Sequence, residues 1–173
     1  MELLIPGLIL VALMVYASTR IKKNAAKAFD QETVETDFFS LVKPEGFLHL
    51  INGDPAFAFQ AYSKEFGKDD AEDVRRATID LRIFSDKTFA AVCDEVKSGA
   101  TSLIERKDLE VSGFRAWSIE TETETNGHEF VIHSLIVEAP DRIISLQSTV
   151  LKEHNNDFLR KIDEMEDSLE IKK

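Results

Sequence analysis

The chain has 173 residues, 43% of them hydrophobic, and a formal net charge of −11. That is enough apolar material for one core and too much for a disordered chain, and the length suits one domain with an appendage. Beyond residues 1–23, 18 basic residues stand against 31 acidic ones, which excludes the concentrated positive surface that a nucleic-acid backbone requires.

The chain opens with MELLIPGLILVALMVYASTRIKK, whose residues 3–19 carry no charge. As a helix this run would extend about 26 Å, the short end of what crosses a hydrocarbon layer about 30 Å thick. Arg20, Lys22, Lys23 and Lys27 follow it, and long basic side chains can snorkel to the headgroups and make up the shortfall. A transmembrane anchor over residues 1–20 is therefore predicted, with membrane lipid as its partner. The basic flank places the carboxyl-terminal domain in the cytoplasm. The alternative is an exported chain cleaved near Ala17, since Val15-Tyr16-Ala17 resembles a small-x-small processing site. Residues 21–36 read as a juxtamembrane connector, leaving residues 37–173 for a soluble domain.

Within that domain the elements follow in order. DFFSLVK ends in the turn residues Pro44-Glu45-Gly46 and reads as a strand. His49 then falls in a loop, and AFAFQAYS forms a second strand. In ATIDLRIF, Ala77, Ile79, Leu81 and Ile83 share one face of a third. Ser85 is predicted to cap a helix from Asp86 to Ser98 that ends at Gly99. Cys93, the single cysteine, lies on its apolar stripe and reads as a buried, inert thiol. Four more strands follow: SLIERKDLEV, FRAWSIETETET, EFVIHSLIVEA and IISLQSTVLK. Asn155 or Asn156 should cap a last helix with Phe158, Ile162, Met165 and Leu169 on one face. Seven strands with two helices describe an α+β domain built on an antiparallel sheet.

Chemistry concentrates in WSIETETETNGHEFVIHS, residues 117–134. Asn126-Gly127 is a strong two-residue hairpin signal, and counting outward from it sets His133 opposite Glu120 and Glu124 opposite Glu129. Trp117, Ile119 and Thr121 fall on the core side in this register. Glu120, Glu122 and His133 are the candidate metal or acid–base group, on a face predicted to be open to solvent. Glu120, Glu122, Glu124 and Glu129 form a candidate interaction face. One histidine on an open ladder is a poor basis for a metal centre, so a solvated hairpin side is the simpler reading. No GxSxG, phosphate loop, HExxH or CxxC occurs, so no catalytic residue and no cofactor is predicted.

FFSLVKPEGF, the strand SGFRAWSIETE after a small-residue turn, and a final helix ending MEDSLEI together resemble the PsbP/DcrB-like superfamily. The likeness implies an α-β sandwich acting as a binding or assembly module rather than an enzyme, with no active-site residues to carry over. Its bacterial lipoprotein members carry a lipobox cysteine, which is missing here. The reading is a single-pass, membrane-anchored, non-catalytic module with a protein partner. The alternatives are a carrier of a small apolar ligand, in a cavity lined by Phe57, Phe59, Trp117 and Phe158, and a metal-assisted hydrolase using Glu120, Glu122 and His133.

Overall fold

A computed structural model describes residues 13–16, 18–20 and 27–172. Most of the predicted anchor, together with Lys22 and Lys23, lies outside them. Residues 13–16 and 18–20 are helical, and among the described residues no helix is long and apolar enough to cross a membrane.

Ten strands and two helices make up the described domain: β1 (Glu32–Glu35), β2 (Phe39–Lys43), β3 (Phe47–His49), β4 (Phe59–Ser63), β5 (Ala77–Phe84), α1 (Phe89–Ser98), β6 (Ser102–Val111), β7 (Phe114–Thr125), β8 (His128–Ala139), β9 (Arg142–Leu151), α2 (Asn155–Asp167) and β10 (Glu170–Ile171). The main sheet has seven antiparallel strands in the order β3-β4-β5-β9-β8-β7-β6, and a second sheet pairs β1-β2-β10.

The two sheets and α2 enclose the larger core. Phe39 and Leu41 of β2 meet Ile79 and Leu81 of β5, Leu135 and Val137 of β8, and Phe158, Ile162 and Met165 of α2. On the far side of the main sheet, α1 lays Phe89, Val92 and Cys93 over Ile119, Ile136 and Ile143. Strand β8 is thus covered on both faces. Val131, His133, Leu135 and Val137 are buried toward α2, and Ser134 and Ile136 toward α1. A strand buried on both sides loses the alternation that marks a half-wet one.

Several elements differ from the sequence reading. The last part of the predicted connector contains strand β1, whose Glu32 to Glu35 pair with Lys43 to Ser40. The Thr36 hydroxyl closes that hairpin by accepting from the amides of Phe38 and Phe39. His49 belongs to β3, opposite Ala61. Helix α1 starts three residues later than predicted, because Thr88 and not Ser85 supplies the cap, its hydroxyl accepting from the Ala91 amide. Helix α2 has no side-chain cap at its start.

Lys43 is 0% exposed. It continues the buried parity of Phe39 and Leu41, yet its ammonium finds only backbone, donating to the carbonyls of Asp30 (2.5 Å) and Phe47 (2.7 Å). A further bond from the Gly46 amide to the Phe29 carbonyl (2.7 Å) ties the same entry segment to the β2–β3 turn. Burial lowers the Lys43 pKa, and the charges of Glu32 and Asp30 oppose that shift. Lys43→Met keeps the apolar stem but leaves both carbonyls unsatisfied. The expected cost is about 2–3 kcal/mol in chemical denaturation, the scale of orphaned buried polar groups, and an unchanged midpoint would contradict it.

Candidate functional site

The hairpin of β7 and β8 forms in the register read from its turn. Asn126 and Gly127 hold φ of 53° and 81°, the paired left-handed geometry that matches strand twist. Thr125 pairs with His128, Glu124 with Glu129 and Glu120 with His133. Trp117 and Ile119 face α1 as expected, with the indole edge-on to Phe89 at 5.0 Å.

The other side of the hairpin is not open to solvent over its whole length, which corrects the sequence reading. His133 is 8% exposed, and its Nε2 lies 2.8 Å from Oδ1 of Asn155 in the first turn of α2. An amide oxygen only accepts, so Nε2 carries the proton. Asn155, predicted as a helix cap, therefore serves as a strut to the sheet. Lys152 spans Glu122 (3.2 Å) and Glu129 (3.4 Å). Glu124 is exposed at the tip, and Glu120 is half-buried between His133 and Glu105 of β6. Among the described residues no three His, Cys, Asp or Glu side chains come together as a set that could hold a metal ion.

The remaining histidines and the cysteine have local partners or none. His154 lies 3.1 Å from Asp157, and His49 stands 4.9 Å from the Phe59 ring. Cys93 is buried as read, its thiol pushed up to about 11 by burial. Arg20 and Lys27 are helical and exposed. The four aromatics expected around one apolar cavity are dispersed. Phe59 and Phe158 belong to the larger core, Trp117 packs on Phe89 across the sheet, and Phe57 lies under the Arg82 guanidinium at 4.3 Å.

An acidic cluster not singled out from the sequence lies where α2 crosses toward β6. Glu166 is half-buried beside Asp163 and Asp167, and its carboxyl is pushed up to about 7, by burial first and then by those two charges, with Lys107 opposing. Its signal was its place on the edge of the stripe formed by Ile162, Met165 and Leu169. Between the ordinary 4.5 and about 7 the folded state holds a proton on Glu166 that the unfolded chain has lost. This group's stabilising contribution is present below pH 4.5 and fades as pH rises through 7. Glu166→Gln should remove that fall, so the variant gains stability relative to the parent from pH 5 to about 7.5 in parallel denaturation curves. Parallel curves for the two proteins would contradict the assignment.

No protein-family model matches the chain, and no curated protein is similar to it in sequence. Solved structures do match. LpqN, involved in cell envelope biogenesis of Mycobacterium tuberculosis, superposes with a TM-score of 0.63 at 14% identity, covering 83% of this chain and 91% of its own. The Ran-binding protein Mog1p of Saccharomyces cerevisiae gives 0.55 at 12%, over 83% and 96%. Cyanobacterial PsbP from Synechocystis gives 0.52 at 11%, over 83% and 92%. Identities this low speak for architecture alone, and the architecture agrees down to the long antiparallel sheet: the chain has the PsbP/Mog1-like α+β fold.

Proposed function

We propose that this chain is a membrane-anchored, non-catalytic binding module that presents its acidic hairpin side to a protein partner. The observation that carries the anchor is local. Leu13, Met14, Val15 and Tyr16 are helical, consecutive and between 60% and 64% exposed. Four adjacent large apolar residues left uncovered by the domain call for another apolar medium, and they belong to the uncharged run of residues 3–19. The basic residues after the run favour a cytoplasmic domain.

The binding role is supported by how the hairpin uses its groups. His133 props α2, and Lys152 occupies Glu122 and Glu129. Glu124 remains displayed at the tip beside the exposed Glu129, whose charge Lys152 shares, where a rigid two-strand frame offers charge for steering and orienting a basic surface. A structural neighbour named as Ran-binding shows that a protein of this fold can take a protein partner.

Alkaline carbonate fractionation of cells with in-cell crosslinking tests both parts. The full chain should stay in the membrane pellet, and a chain lacking residues 2–19 should move to the supernatant. Crosslinked adducts should weaken about tenfold when Glu124 and Glu129 are both changed to Lys, the scale of reversing a rim charge pair. Extraction of the full chain by carbonate would overturn the anchor, and undiminished adducts would overturn the acidic docking side.

A further inference from the structure

The chain contains two Asn-Gly steps, Asn52-Gly53 and Asn126-Gly127, and the fold treats them in opposite ways. Asn-Gly is the dipeptide most prone to deamidate, because glycine has no Cβ to shield its amide nitrogen from the asparagine carboxamide. Asn126 is locked in the β7–β8 turn. Its φ of 53°, that of Gly127 at 81° and the pairing of Thr125 with His128 define a type I′ turn, in which ψ of the first central residue stays near about +30°. That angle holds the Gly127 nitrogen nearly anti to the Asn126 Cβ, out of reach of its carboxamide.

Asn52 lies between β3 and β4, outside any strand ladder, and both it and Gly53 are exposed. Gln60 fastens the loop on either side of them. Its carbonyl accepts from the Leu50 amide at 2.9 Å and its Oε1 from the Asp54 amide at 3.1 Å. The side-chain bonds of this loop are made by Asp54 and Gln60, and the Asn52 carboxamide has no partner among the described residues. Glycine suits position 53 because an added Cβ would come 2.6 Å from Gln60 Oε1, and Gln60 is itself held through Nε2 by Asp80 at 2.8 Å. The packing that closes the loop thus also keeps the reactive dipeptide.

We propose that Asn52 is a site of spontaneous deamidation in the folded protein, with water as the only co-reactant, and that the hairpin turn spares Asn126. The Gly53 nitrogen gives its proton to solvent base and bonds to Asn52 Cγ; the Cγ–Nδ2 bond breaks, ammonia leaves and a cyclic succinimide is formed. Water then opens the ring at either carbonyl to give aspartate or isoaspartate, with no change of oxidation state. Either product adds a carboxylate next to the Gly53-Asp54 step, and isoaspartate also lengthens the backbone between the two bonds to Gln60. The site depends on neither the membrane anchor nor the acidic docking side.

The test is peptide mapping by mass spectrometry of the full chain in micelles, incubated at mildly alkaline pH, with a urea-unfolded sample in parallel. Trypsin places Asn52 and Asn126 in separate peptides, residues 28–64 and 116–142, each with no other asparagine. In the folded protein Asn52 should deamidate faster than Asn126 by about tenfold or more, the factor by which only about 1.4 kcal/mol of turn opening slows a rate. In urea the two should react at similar rates. Asn52→Gln should remove the product from residues 28–64 and leave the rate at Asn126 as it was. The proposal is overturned if Asn52 stays intact in the folded chain over a time in which it reacts in urea, or if Asn126 keeps pace with it in the folded chain.

Discussion

Burial of strand β8 on both faces is the constraint from which the rest of the architecture follows. Leu135 and Val137 are committed to the core under α2 and the small sheet, while Ile136 is committed to α1. With no solvent side to spare, the Ser134 hydroxyl on this strand is left without a partner among the described residues, and a larger polar group must find one inside the protein. His133 does so by reaching Asn155, which fixes the start of α2 against the sheet. Chemistry needing access to solvent or substrate is pushed outward, to the hairpin tip, the edge strand β6 and the two ends of α1. That is why the acidic stretch acts as frame over most of its length and as surface only near Asn126.

The entry of the chain is held almost as firmly. Lys43 and Gly46 grip the carbonyls of Asp30 and Phe29, so the domain begins by residue 29 and not at residue 37. Nine residues separate Thr19 from Phe29, and the ten steps between them span at most about 35 Å. Under the proposed anchor, the domain is thereby kept close to the bilayer. Its acidic excess is repelled by an anionic leaflet, and this favours orientations in which carboxylates face a partner and not lipid.

How much of this was legible in the sequence depended on whether local or distant residues made the decision. Asn126-Gly127 fixed ten cross-strand pairs from β7 to β8, because turn geometry sets hairpin register by itself. Ala77, Ile79 and Leu81 revealed β5 by alternation. By contrast, Glu32–Glu35 holds one buried side chain, Val34, and owes its strand to pairing with β2, a contact invisible to composition. The wet face assigned to His133 failed because EFVIHSLIVEA, residues 129–139, was given one wet side, although Val131 and Ile132 and then Leu135, Ile136 and Val137 are apolar on both sides, as in a doubly covered strand. Lys43 was hidden by its charge, and only its parity with Phe39 and Leu41 pointed inward.

Amide hydrogen exchange along the main sheet tests the two-sided burial most directly. If β8 and β9 are sealed by α1 on one face and α2 on the other, their central amides, from Val131 to Val137 and from Ile144 to Val150, should exchange only through global unfolding. The hairpin tip and the exposed first half of β6 should exchange orders of magnitude faster. Exchange at Val131 to Val137 as fast as in β6 would mean that one face of β8 opens to solvent. His133 would then return as a candidate for chemistry in place of a structural strut.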